Sequence, residues 1–119
     1  MSTHSRIRME LPTGETASSY CRGANPDHAR PILKRNYNTT EKVEELLKLG
    51  SLSVLRPRVK AEPGEIHTFN DPVQDVTIAY HRDRGERLQI GCDEPGTYDY
   101  VWNGSRWYLQ VDRNTRLAL

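Results

Sequence analysis

The chain has 119 residues, enough for one domain around a single core and too few for two. Seventeen Lys and Arg against sixteen Asp and Glu leave a net charge of +1, which argues against both a general DNA coater and an acidic DNA mimic. A composition 35% hydrophobic and 28% charged, with mean hydropathy −0.79, is wet for a globular domain, yet two Trp and six Tyr argue against disorder. The expectation is one domain over residues 1–119, mobile at 1–5, 56–74 and 113–119, with apolar surface closed by homo-oligomerisation.

Taken in chain order, residues 6–11 and 16–21 suit a hairpin around Pro12, Thr13 and Gly14. Asp27 is placed to cap a short helix over about 28–36, in which Ala29, Ile32 and Leu33 share one side and Arg30 and Lys34 another. Pro31 is tolerable there only near the first turn. The clearest element is a helix over about 39–49: Asn38 and Glu41 read as a capping box, and Gly50 supplies the left-handed residue after its end. Val43, Leu46 and Leu47 form its apolar stripe, with Glu44 and Lys48 paired one turn apart on the outside.

Residues 56–74 hold Pro57, Pro63, Gly64 and Pro72 among charges, a long excursion between helix and sheet. Beyond it, residues 75–82 read as a strand with Val76 and Ile78 facing the core, 88–92 as a shorter one, and Arg84-Gly85-Glu86 as the turn between them. Asn103-Gly104 is a strong two-residue hairpin signal. With Trp102 opposite Ser105 and Tyr100 opposite Trp107, alternation puts Tyr98, Tyr100, Trp102, Trp107, Leu109 and Val111 on a core face. Asp99, Arg106, Tyr108 and Gln110 take the other face. The fold expected is α+β: an antiparallel sheet of about five or six strands, with the two helices packed on one face.

Charge is uneven along the chain. Residues 20–60 carry nine cations against four acids, and 61–105 three cations against nine acids, so the halves would attract within one fold or head-to-tail between copies. Thirteen of the seventeen cations are Arg, the residue of planar, bidentate anion recognition. The segment Tyr80-His-Arg-Asp-Arg-Gly-Glu86 is the densest candidate site: extended, it puts Tyr80, Arg82 and Arg84 on one face, an aromatic platform beside two phosphate-reading forks. Arg22, Arg30 and Lys34 would complete an anion site. The plainer alternatives are pairing of Arg82 and Arg84 with Asp75, Asp83 and Glu86, and a solvated basic helix face.

Catalysis has little support. His4, His28, His67 and His81 lack metal-ligand spacing, Cys21 and Cys92 belong to no CxxC or Cys/His cluster, and no glycine-rich phosphate loop is present. His81 beside Asp83 offers one possible base, and Asp93-Glu94 is better read as a solvated loop than as a paired carboxylate. No cofactor or metal is expected. No stretch approaches the roughly twenty apolar residues that span a bilayer, and residues 1–8 hold no apolar signal core, so no membrane role is expected.

Tyr20-Cys-Arg22, Pro26, Ile32-Leu33, Tyr37-Asn-Thr39, the run from Glu41 to Ser53, and Val76 to Tyr80 followed by Arg82-Asp-Arg-Gly-Glu86 together resemble a family of small phage and prophage proteins. That family's pattern is a YCxWDGYP-type opening, an EKVEELIxLGxLSxL helix, a YxRDRGE strand end and a terminal WY strand. The chain departs at Gly23-Ala-Asn25, where the family has Trp-Asp-Gly-Tyr, so an aromatic surface of the relatives is absent here. In size, element order and its Arg/aromatic strand end, the chain is also similar to the Thoeris anti-defence proteins, sponges that bind cyclic nucleotide signals as oligomers without cleaving them. These resemblances imply a phage accessory protein, not an enzyme, acting in the host cytoplasm. It would bind a cyclic nucleotide or other anionic small molecule through Tyr80, Arg82 and Arg84. A protein-binding inhibitor of a host defence complex, such as a CRISPR effector, is the alternative, and a small nuclease or nucleotide hydrolase a third.

Overall fold

Strict alternation over residues 4–10 makes the first strand, β1 (His4–Glu10), the centre of the molecule: Ser5, Ile7 and Met9 are buried on one side, while His4, Arg6, Arg8 and Glu10 face the other. In the computed structural model, which describes residues 4–80, 88–91 and 96–119, β1 lies in the middle of a seven-stranded sheet. Its first neighbour is the expected hairpin partner β2 (Thr16–Arg22), paired antiparallel from His4 opposite Arg22 to Glu10 opposite Thr16. The turn is closed by the Gly14 N–H donating to the Leu11 carbonyl at 3.0 Å.

Two helices follow, α1 (Pro26–Asn36) and α2 (Thr40–Leu47), and the chain then returns as β3 (Leu52–Val54) and β4 (Ile78–Ala79). After them come β5 (Tyr98–Trp102), β6 (Trp107–Asp112) and β7 (Thr115–Ala118), giving the sheet order β4-β3-β2-β1-β5-β6-β7. The class is α+β with both helices on one face of the sheet, but the sheet is larger than five or six strands and is not wholly antiparallel. β3 returns beside β2 in parallel, because a helical connection carries the chain back to the end of the sheet where β2 began. β5 likewise enters beside β1 in parallel, Ile7 opposite Tyr100. Strand periodicity reports which face a residue takes but not which strand lies next to it, so the parallel pairs escaped the sequence reading. Thr115–Ala118, in the stretch expected to trail from the domain, forms edge strand β7 instead.

The core lies between the helices and one sheet face. Ala29, Leu33 and Tyr37 from the first helical segment and Val43, Leu46 and Leu47 from α2 meet Ile7, Met9, Cys21, Leu52, Tyr100, Trp102 and Trp107. Each buried Leu or Val of this set contributes roughly 1.5–3 kcal/mol of transfer free energy before conformational entropy is counted. The Ser19 hydroxyl donates to the Leu47 carbonyl at 3.0 Å, which also accepts the Gly50 N–H at 3.2 Å, so the end of α2 is tied to β2. Outside the core, Lys48 pairs with Glu44 at 3.0 Å as expected.

Both helix starts differ from expectation. The first helix is capped by Asn25, whose Oδ1 accepts from the His28 N–H at 3.1 Å, with Pro26 at the first helical position and Asp27 in the first turn. Pro31 therefore sits in the helix interior. The second is capped by Thr39 in place of Asn38; Thr39 accepts from the Lys42 N–H at 3.3 Å, so Glu41 stands one position too early for a capping box with it.

The aromatic hairpin keeps its faces but not its register. Trp102 stands opposite Trp107 and Tyr100 opposite Leu109, two residues away from the expected pairing. Gly104, with φ +102°, and Ser105 are the central turn residues, since the Asn103 N–H donates to the Arg106 carbonyl at 3.2 Å. The Asn103 side chain accepts from both the Ser105 and Arg106 N–H groups, at 2.9 and 2.8 Å, which holds Asn103 at the corner in place of a central position. Because strand periodicity is two, a two-residue slip leaves the core face intact. Val111, expected on the core face, is exposed, at the register irregularity between Gln110 and Asp112 in the pairing of β6 with β7.

The expected strand over 75–82 is present in part, as β4, with Val76 before it forming a bridge with Arg58, and the expected strand over 88–92 is represented among the described residues by the bridge of Ile90 with Ala17. The Arg84-Gly85-Glu86 turn lies outside the described residues.

Two outcomes follow from this packing. A Cβ at Gly96 would stand 2.8 Å from the His4 carbonyl oxygen and 3.0 Å from the Arg6 nitrogen, both backbone atoms that cannot rotate away. Gly96→Ala is expected to lower stability by about 1–3 kcal/mol, read as a lower urea midpoint with unchanged m-value.

Burial pushes the Cys21 thiol from 9.0 up to about 12, only partly opposed by a hydrogen bond from the Leu55 backbone. Burial likewise pushes the Tyr37 phenol from 10.0 up to about 12. The folded state holds these protons more tightly than the unfolded chain does, so their stabilisation is complete below about pH 9 and lost as pH rises towards 12. Each group alone gives a slope of about 1.4 kcal/mol per pH unit inside its window. Cys21→Ala should move the onset of alkaline destabilisation from near pH 9 to near pH 10, measured by urea denaturation across pH.

Candidate functional site

The elbow between the two helices is fastened to the sheet by side-chain hydrogen bonds. Tyr37 donates its hydroxyl to the Arg56 carbonyl at 2.7 Å and lies 3.3 Å from the Thr77 hydroxyl. Its own carbonyl accepts the Trp107 indole N–H at 2.7 Å, and the Trp102 indole N–H reaches the Thr40 hydroxyl at 3.0 Å. The two indoles pack against each other with centroids 5.5 Å apart. Each Trp thus uses its only polar group on the helices, and the rings, 2% and 4% exposed, present little but carbon edge to solvent.

Above those edges lies a cleft of about 310 Å³ lined by Lys34, Asn38, Trp102, Ser105, Arg106, Trp107, Ala118 and Leu119. α1 contributes Lys34, the elbow Asn38, the hairpin turn Ser105 and Arg106, and the chain end closes the side, with the Leu119 N–H donating to the Trp107 carbonyl at 3.2 Å. The lining holds two cations, an amide and a hydroxyl over an apolar floor, and no Asp or Glu side chain. This arrangement suits a ligand with a flat apolar part and an anionic tail. A larger depression of about 690 Å³ on the far side of the sheet is lined by Arg8, Asp99, Asp112 and Arg113 among others. Its cations and acids balance, and Arg8 already pairs with Asp99 at 3.3 Å, so it has no net preference for an anion.

The residues singled out from sequence fall on both sides of the sheet. Lys34 lines the cleft, and Arg30 stands one helical turn away from it on the exposed flank of α1. Arg22 ends β2 on the opposite face, across from His4. Tyr80 follows Ala79, which is buried against the helices, and so turns to that opposite face too. Its N–H donates to the Ser51 carbonyl at 3.0 Å, and its ring lies 5.9 Å from that of Phe69. Within one molecule the sheet therefore separates Tyr80 and Arg22 from Arg30 and Lys34. Arg82 and Arg84 lie outside the described residues, as do His81, Asp83, Cys92, Asp93 and Glu94.

Arg106 is the cleft residue that sequence reasoning missed. The expected register placed it on a strand face turned away from the core, whereas the observed register puts it at the turn corner beside Lys34. The signal available was the capacity of Asn103 to accept from two backbone N–H groups, which favours Gly104-Ser105 as the central pair.

The described histidines have structural partners. His4 Nδ1 lies 2.8 Å from the Tyr20 hydroxyl, His28 Nε2 2.8 Å from the Leu55 carbonyl, and His67 Nδ1 accepts the Val73 N–H at 2.9 Å. Among the described residues no group of three or more His, Cys, Asp or Glu is placed to hold a metal ion, and no helix is long and apolar enough to cross a membrane. No protein-family model, curated protein or solved structure matches the chain.

Trp107→Phe removes the donor to a buried carbonyl and is expected to lower stability by about 1–3 kcal/mol in urea denaturation. Near-ultraviolet circular dichroism should show that the remaining indole has lost its fixed surroundings.

Proposed function

We propose that this protein acts by binding: it sequesters an anionic nucleotide ligand in the cleft between α1 and the β5–β6 hairpin and leaves it chemically unchanged. The observation that carries this reading is the cleft lining, two cationic side chains and no Asp or Glu side chain over an apolar floor. Lys34 and Arg106 hold phosphate, Asn38 and Ser105 offer hydrogen bonds to a base or ribose, and the Trp edges with Ala118 and Leu119 cover its apolar surface. A sponge needs these groups and no catalytic one, which accords with the chain's similarity in size and element order to anti-defence proteins that bind cyclic nucleotide signals without cleaving them. The ligand class that fits this role is a nucleotide second messenger.

A second reading, an inhibitor that docks on a host defence protein, is favoured by exposed apolar side chains in and beside the 56–74 excursion. Ile66 is 82% exposed, Phe69 53% and Tyr80 36%, with the last two in ring contact.

The readings separate in a thermal-shift screen of linear and cyclic nucleotides, followed by heat denaturation and chromatography of the released ligand. Binding at 100 times Kd should add about 2.7 kcal/mol of stability. Lys34→Ala with Arg106→Ala should weaken binding at least tenfold, Phe69→Ala with Tyr80→Ala should leave it unchanged, and the ligand should be recovered intact. Recovery of a converted product would make the protein an enzyme. Absence of any nucleotide response would leave the docking reading, for which Phe69 and Tyr80 are the residues to replace.

A further inference from the structure

The cleft does not end at Lys34. That residue also lines an open groove along α1 with Arg30, Pro31 and Arg35, and Arg35 in turn lines a third depression in which Lys42, Arg58 and Lys60 outnumber the acids Glu45 and Glu62. Three concavities are thus joined through shared residues into one track from the β5–β6 turn, over the outer flank of α1, to the segment after β3.

What marks this track is its excess of cations. Arg58, which lines it, is paired with Asp75 at 2.6 Å and Glu65 at 2.9 Å, as Arg116 is with Glu10 at 3.0 Å and Arg8 with Asp99 elsewhere in the molecule. Arg30, Lys34, Arg35, Lys42, Lys60 and Arg106 are all exposed, and among the described residues none of them makes an ion pair with an acid. Acids are not scarce in a chain with sixteen of them. Arg30 and Lys34 stand one turn apart on a helix, where like charges repel, so their placement costs the free protein stability and a bound polyanion would relieve it.

Resting on the reading of the cleft as a nucleotide site, we infer that its ligand is a single-stranded oligonucleotide. One nucleotide sits in the Lys34–Arg106 cleft, and the phosphates that follow run along α1 towards Lys42 and Lys60. The track is open and bends around the end of a helix. A single strand can follow such a path, whereas a duplex, stiff over about 50 nm, cannot. An acidic peptide would meet the same cations but has no flat group for the cleft floor.

The test is fluorescence anisotropy with labelled oligodeoxythymidylates of one, four, eight and twelve nucleotides, a twelve-base-pair duplex and a polyglutamate competitor, at several salt concentrations. Affinity should rise at least tenfold from one nucleotide to eight, and the duplex and polyglutamate should bind more weakly than the strand. Arg30→Ala with Arg35→Ala should remove the gain with length and flatten the slope of log K against log salt by about 1.4, at about 0.7 per phosphate contact. The same variant should leave the affinity of the mononucleotide unchanged and, since both residues are exposed, the thermal midpoint nearly so. Affinity independent of length, a duplex or polyglutamate binding as tightly as the strand, or a double variant that keeps the full gain would each overturn the inference. The underlying reading fails separately, if Lys34→Ala with Arg106→Ala leaves mononucleotide binding unchanged.

Discussion

The anchoring of the α1–α2 elbow to the sheet is the constraint on which the rest of the structure depends. Tyr37 sits at the elbow with its hydroxyl bonded to the β3–β4 side of the sheet and its carbonyl bonded to Trp107 on the other side of β1. Thr40 receives the second indole N–H at the start of α2. Buried polar groups of this kind are costly when unmade, so together they select one position of the helix pair over the sheet, where an apolar interface alone would tolerate sliding. That position sets where Lys34 stands relative to the hairpin turn, and hence whether Lys34 and Arg106 face a common space.

The two sheet faces divide the labour. The helix-covered face holds the apolar side chains, and the far face holds an arginine and acid lattice in which Arg8 and Arg116 are matched across strands. Arg116 donates to both Glu10 oxygens and to the Gln110 side chain, bringing the chain end into line with strands far from it in sequence. Among the described residues, Arg30, Lys34, Arg35, Lys42, Lys60 and Arg106 stand without an acid partner around α1, and Arg22 stands so on the far face. The near-neutral total therefore conceals an uneven surface, and the cations around α1 carry the binding argument.

Much of this was legible in the residues, for reasons that also mark where legibility stops. Period-two alternation assigns faces, and Tyr100, Trp102 and Trp107 are buried as that pattern requires. It does not report neighbours, so β1 beside β5 and β2 beside β3 were invisible, being set by connections rather than by local pattern. Helix stripes were readable from Val43, Leu46 and Leu47, but cap positions moved because several adjacent residues can cap. Asn25 with Pro26 outcompeted Asp27, and Thr39 outcompeted Asn38. Lys34 was visible as an outward cation on α1. Arg106 was not, because its place depends on which two of four turn residues become central. Tyr80 and Arg22 were grouped with α1 by chemistry alone, and the sheet between them could not be inferred without strand order.

The central claim, that the cleft over the paired indoles is where ligand sits, meets its most direct test in the indole N–H resonances. With only two tryptophans in the chain, a nitrogen-15 correlation spectrum contains two indole cross-peaks, one from each side of the cleft floor. Titration with a nucleotide should shift both, saturating at the Kd measured independently, while Lys34→Ala with Arg106→Ala should abolish the shifts and leave the unliganded peak positions nearly unchanged. Saturable nucleotide binding with both indole peaks unmoved would place the ligand elsewhere and contradict the account.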